Sequence, residues 1–129
     1  MLPANDVEYL QARVPGHSIQ NDGTMTCVLI PAFALGSGYD CPQSDLLLRL
    51  APGYPDVPPD MWWFNPPVRR NDGAEIPATQ AREQHFGREW QRWSRHLSLG
   101  QWCSGIDSLE SYLAIVRREL RACAPKVAA

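Results

Sequence analysis

Ser44-Asp45-Leu46-Leu47-Leu48-Arg49-Leu50, then Tyr54-Pro55-Asp56-Val57-Pro58-Pro59, then Met61-Trp62-Trp63-Phe64 read in order as strand, proline-rich crossing and strand. In the first segment Leu46, Leu48 and Leu50 share one face, and Leu47 and Arg49 share the other, the period-two pattern of a sheet. Six prolines fall from Pro52 to Pro67. They flank Met61 to Phe64 and forbid ladder donation there, so that strand must be brief or lie at an edge. Its aromatic bulk demands burial.

Working outward, residues 5–13 read as a short helix, with Asn5 or Asp6 as its cap and Val7, Leu10 and Val14 as its apolar stripe. Pro15-Gly16 ends it. Residues 17–20 read as a first strand, with His17 at its edge. Asn21-Asp22-Gly23 signals a tight turn, and a β-branched, apolar strand runs from Thr24 to Phe33. Asn71-Asp72-Gly73 marks a second turn. Residues 74–101 lack clean periodicity and are expected to be loop and short helical turns, with Trp90 and Trp93 packed in the core.

Ile106, Leu109, Leu113, Val116 and Leu120 recur at spacings of 3, 4, 3 and 4, the stripe of an amphipathic helix. Ser104 with Asp107, or Asp107 with Glu110, is its expected capping box. Arg117, Arg118 and Arg121 suit the negative end of its dipole. Pro125 stops it, and residues 126–129 are expected to fray. The order predicts an α+β fold: an N-terminal helix, an antiparallel meander of about four strands, an irregular segment carrying the site, and a C-terminal helix. The 129 residues make a single domain, with a core over about 5–122.

Composition sets limits on function. The chain is 44% hydrophobic with five tryptophans, enough for a core, and its net charge of −2 gives no basic footprint for nucleic acid or for an anionic membrane. Residues 27–35 form the longest apolar run, nine residues broken by Pro31, against about 18 needed to cross a bilayer. No signal peptide is read at the N-terminus. Cys27, Cys41, Cys103 and Cys123 form no C-x-x-C pair and read as reduced thiols of a cytoplasmic protein. A Cys27–Cys41 disulfide is the less favoured alternative. His96 and Cys103 lack a second ligand pair for zinc, so neither metal nor cofactor is expected.

Two segments carry a family resemblance. Tyr54-Pro55-Asp56-Val57-Pro58-Pro59 resembles the Tyr-Pro-x-x-Pro-Pro turn of the ubiquitin-conjugating (E2/UBC) superfamily, and Gln101-Trp102-Cys103-Ser104-Gly105-Ile106 resembles its Trp-Ser-Pro-Ala segment. Leu46 to Leu50, Tyr54 to Met61 and Trp90-Gln91-Arg92-Trp93-Ser94-Arg95-His96 are similar to a bacterial branch, prokaryotic E2 family E. The resemblance implies a UBC-like fold and a transferase. Its partners would be an E1-like activating enzyme, a ubiquitin-like protein and a target-protein lysine, with a JAB-type peptidase in the same pathway.

The resemblance also locates the chemistry. The superfamily's catalytic cysteine lies eight residues before the tryptophan, and here that position is Ser94. Ser94 would then carry the acyl group as an oxyester. A hydroxyl is protonated at neutral pH and needs a base, for which His96 and His85 are the candidates. Arg92 and Arg95 could favour the oxyanion or steer the incoming tail. The family's His-Pro-Asn motif is absent, and Gln84 or a backbone N–H near Gly87 is the candidate replacement. Cys103 is an alternative nucleophile, read otherwise as a small buried residue at the helix start. Asp56 and Asp60 read as turn caps. The missing cysteine also allows a catalytically inactive E2-variant binding module. A weaker reading is an adaptor that exposes Trp62 and Trp63.

Overall fold

The computed structural model describes residues 2–126. Among them α1 spans Ala4–Arg13 and α2 spans Leu109–Cys123. Between the helices lie β1 (Ser18–Asp22), β2 (Met25–Ala34), β3 (Gln43–Leu50), β4 (Trp62–Asn65), β5 (Arg82–His85) and β6 (Arg88–Trp93). All six form one antiparallel sheet in the order β1-β2-β3-β4-β6-β5. The α+β architecture matches the sequence expectation and is compatible with a UBC-like fold. Residues 127–129 of the expected frayed end lie outside the described residues.

The sheet has two differently packed faces. Val28, Ile30, Leu46, Leu48, Leu50, Trp62, Phe64 and Trp93 face the helices and pack with Leu10, Leu109, Tyr112, Leu113, Val116 and Leu120. Each fully buried leucine here contributes about 2 kcal/mol by leaving water. The opposite face carries a smaller cluster of Cys27, Leu47, Trp63 and Trp90. Trp90 and Trp93 are both fully buried, on opposite faces, as alternation along β6 requires. Trp62 and Trp63 are also buried, at 1% and 4% exposure, which removes the adaptor reading.

Three local expectations are corrected. The segment read as loop and helical turns contains the β5–β6 hairpin. Its two-residue turn holds Phe86 at φ 54° and Gly87 at φ 74°, the paired positive angles of a type I′ turn. The α2 start is one turn later than the stripe suggested, so Ile106 lies outside the helix and is 80% exposed. Its capping interaction is Ser111 Oγ accepting from the Ser108 N–H at 2.8 Å, and neither expected box forms.

At the other end, α1 begins at Ala4, and Asp6 does not cap it. The Asp6 carboxylate instead accepts from the Leu109 N–H at 2.9 Å and from the Tyr54 hydroxyl at 2.7 Å. This buried group ties α1, the proline-rich crossing and the first turn of α2 together, with negative charge placed at a helix N-terminus.

Candidate functional site

β6 delivers Ser94 to the site. The strand ends in a γ-turn centred on Ser94, where the Arg95 N–H donates to the Trp93 carbonyl at 2.9 Å. The Ser94 N–H donates to the Ala78 carbonyl at 3.0 Å, which fixes the turn against the preceding loop. The serine is half-buried, and its Oγ accepts from Arg92 Nε at 3.1 Å.

Arg92 is itself held. Its guanidinium donates to Glu83 Oε2 at 2.8 Å, and Glu83 Oε1 accepts from Trp63 Nε1 at 3.0 Å and from His85 Nε2 at 2.9 Å. On the far side of His85, Arg49 lies 3.1 Å from Nδ1 and 2.6 Å from Asp22 Oδ2. Arginine offers donors alone, so His85 Nδ1 must be the acceptor and Nε2 must carry the proton given to Glu83. Burial pushes the Glu83 carboxyl up, but the bonds from His85, Arg92 and Trp63 outweigh it and hold it below its ordinary value. A continuous polar chain thus runs from Ser94 to Asp22 across the face opposite the helices.

The predicted residues divide between several places. Arg92 contacts Ser94 directly, whereas His85 reaches it through Glu83 and Arg92. His85 pairs with Arg88, six residues before Ser94 along the strand, or roughly 20 Å at the rise of a β-strand. Gln84 and Gly87 are exposed at that same remote end of the hairpin, away from Ser94. Arg95 turns aside to the Pro77 carbonyl at 2.9 Å and to Glu119 at 3.6 Å, lying over the Trp93 ring. His96 is bonded to Asp60, with Nδ1 2.6 Å from Oδ1, and its ring is 65% exposed.

Glu83 and Asp60, bonded to Arg92 and His96, are the members of the candidate site that sequence reasoning missed. Asp60, which the sequence suggests as a turn cap, instead orients His96. Asp56, read the same way, accepts from the Ser104 hydroxyl. Alternation along β5 places Glu83 on the Trp63 and Arg92 face, a signal hidden as long as the segment was read as loop. Beside His96 lies a cavity of about 410 Å³, lined by Trp62, Leu97, Tyr112, Ile115 and Arg118 among others. A larger cavity of about 610 Å³ lies over residues 68–82 and touches none of the predicted site residues.

Cys103 is exposed rather than buried, which corrects its reading as a small core residue. It opens a turn whose backbone is pinned by Asp107: the Cys103 N–H donates to Asp107 Oδ2 at 2.7 Å. The adjacent Trp102 donates to the Pro55 carbonyl at 2.9 Å, and its ring centroid lies 6.0 Å from that of Tyr54. The two segments that carried the resemblance therefore pack on each other. No described helix is long and apolar enough to cross a membrane.

None of the curated proteins and none of the solved structures matches the chain. One family model does, over residues 2–123, taking in both helices, all six strands and every residue of the site. By that match the chain is a member of prokaryotic E2 family E, a bacterial E2-like protein whose family implies activating-enzyme and ubiquitin-like partners.

Proposed function

We propose that this chain accepts the C-terminus of a ubiquitin-like protein from an E1-like activating enzyme as an oxyester on Ser94, and passes it to a target lysine amine in the cytoplasm. The observation that carries the reading is Arg92 Nε on Ser94 Oγ at 3.1 Å. A fixed guanidinium favours negative charge on that oxygen, in the nucleophile when it attacks and in the leaving group when it departs.

In loading, Ser94 Oγ attacks the thioester carbonyl, the C–O bond forms, the C–S bond breaks, and the proton passes to the departing thiolate. In transfer, the amine attacks the ester, the C–N bond forms, and Ser94 regains a proton as the C–O bond breaks. His96, oriented by Asp60, supports the role of base for the incoming amine, because its Nδ1 is engaged and its ring is open to solvent. The cavity beside His96 offers room for the acceptor side chain. Arg95 and Gln84 would act on the approaching protein rather than on the ester. A JAB-type peptidase would reverse the modification.

A second reading, an inactive binding module, draws on the finding that neither His85 nor His96 is bonded to Ser94. One reaction separates the two: the chain with ATP, an E1-like enzyme and its ubiquitin-like partner. The carrier reading expects an adduct that hydroxylamine cleaves and thiols do not, lost in Ser94→Ala. Non-covalent binding alone supports the module.

A further inference from the structure

Ser94 has one hydrogen bond to a charged group, and that group is free to swing unless something anchors it. Arg92 is about one-third exposed, on a long side chain whose rotamers cost entropy to fix. Among the described residues Glu83 is the carboxylate bonded to it.

We propose that Glu83 is a positioning residue for Ser94: it fixes the guanidinium that holds the serine hydroxyl. The inference rests on the reading of Ser94 as the acyl carrier and adds to it a residue outside the reacting atoms. Three strands converge on Glu83. Arg92 comes from β6, Trp63 from β4, and His85 from Glu83's own strand. Register sets this convergence, since Glu83 pairs with Trp90 and Trp63 pairs with Arg92 on one face. The carboxylate's two oxygens meet three donors, which leaves it little freedom to rotate. His85 thereby takes a different place from the base that the sequence suggested. It braces Glu83, and is braced in turn by Arg49 and Asp22 from β3 and β1.

Glutamine cannot replace Glu83. It keeps the volume but has one acceptor oxygen, and its amide N–H groups would face the donors of Arg92, His85 and Trp63. The test uses a synthetic peptide thioester ending in Gly-Gly as acyl donor, with Ser94 ester formation followed by mass spectrometry. Glu83→Gln is expected to slow loading at least tenfold. Arg92→Lys, which keeps the charge but loses the Nε donor, is expected to do the same, and the double variant to be no slower than either single one. In a Ser94→Cys background, where a thiolate does not need the held hydroxyl, Glu83→Gln is expected to cost less than threefold.

Wild-type loading rates in Glu83→Gln, or additive losses in the double variant, overturn the role of Glu83 and leave the carrier reading intact. Absence of any Ser94 ester in the wild-type protein overturns the carrier reading itself, and the role of Glu83 with it. Should Glu83→Gln fail to fold, the wild-type protein still decides. The Arg92 Nε–H resonance is expected to shift with the midpoint of Glu83 titration, tracked by the Glu83 side-chain carbon. His85, Arg92, Arg49 and Asp22 are the charged or titratable groups around it, and their signals separate their own titrations. An Arg92 resonance indifferent to Glu83 overturns the inference.

Discussion

Asp60 holds His96 at 2.6 Å across 36 residues of sequence, joining the end of the proline-rich crossing to the segment that leaves β6. A carboxylate that accepts from one imidazole nitrogen leaves the other as the basic one. His96→Ala is expected to slow transfer of the acyl group from Ser94 to an amine by about 100-fold, within the usual range for loss of a general base. Asp60→Asn is expected to slow it by about tenfold, with loading of Ser94 changed less than transfer. Single-turnover assays from preloaded protein check both. Wild-type transfer by His96→Ala would remove the histidine from the chemistry.

Asp6 predicts a structural effect far from that chemistry. Its loss strips the Leu109 N–H and the Tyr54 hydroxyl of their acceptor in a buried setting. Asp6→Ala is expected to destabilise the fold by about 2–4 kcal/mol, the range for orphaned buried donors to a charged group. Denaturant unfolding measures it, and an effect under about 0.5 kcal/mol would contradict the tie between the two helices.

Glu83 predicts an acid limb in stability. Its folded carboxyl titrates below the ordinary value of 4.5, so the folded state releases its proton more readily than the unfolded chain. The stabilisation is therefore complete above 4.5 and fades as the pH falls through the lower folded value. Asp22, held low mainly by its hydrogen bond from Arg49, adds in the same direction. Glu83→Gln is expected to flatten the loss of stability between neutral and acid pH, measured by unfolding across that range. An unchanged slope would place the carboxylate outside the network.

The helix stripe predicts a contrast between neighbours in sequence. Leu109 is fully buried and Ile106 is 80% exposed, although both fit the same spacing. Leu109→Ala is expected to cost about 2–4 kcal/mol through lost burial and a residual cavity. Ile106→Ala should stay within about 0.5 kcal/mol, as for a surface change. Equal costs in denaturant unfolding would contradict the α2 boundary.

These residues also mark how far the sequence could be read. Leu109, Leu113, Val116 and Leu120 declared α2 because its apolar face repeats at the helical period and meets one continuous core. Ile106 fits that period by coincidence, and the Cys103 turn pinned by Asp107 stops the helix from reaching it. The β2–β3 pairing was legible because Leu46, Leu48 and Leu50 alternate cleanly. The β5–β6 hairpin was not, because both of its faces are occupied. Trp93 serves the helix-side core, while on the other face Trp90 shares its side of the sheet with the charged network of Glu83, His85, Arg88 and Arg92. A hairpin with a buried tryptophan on each face, and charges mixed with one of them, gives no simple hydrophobic alternation. Phe86 at positive φ further masks a turn that glycine or asparagine would announce.

For the candidate site, Ser94 could be reached through the family resemblance, by counting back from Trp102, and Arg92 as its neighbour in sequence, since neither step needs tertiary structure. The Asp60–His96 and Glu83–Arg92 pairs could not, because each joins elements whose contact exists only after the sheet has formed.

The most direct measurement is tandem mass spectrometry of the intact chain after incubation with ATP, an E1-like enzyme and its ubiquitin-like partner. The account predicts one acyl adduct on the Ser94 peptide, stable to thiols, removed by hydroxylamine and absent from Ser94→Ala. An adduct on Cys103 that persists in Ser94→Ala and disappears in Cys103→Ala, or tight binding with no covalent product, would contradict it.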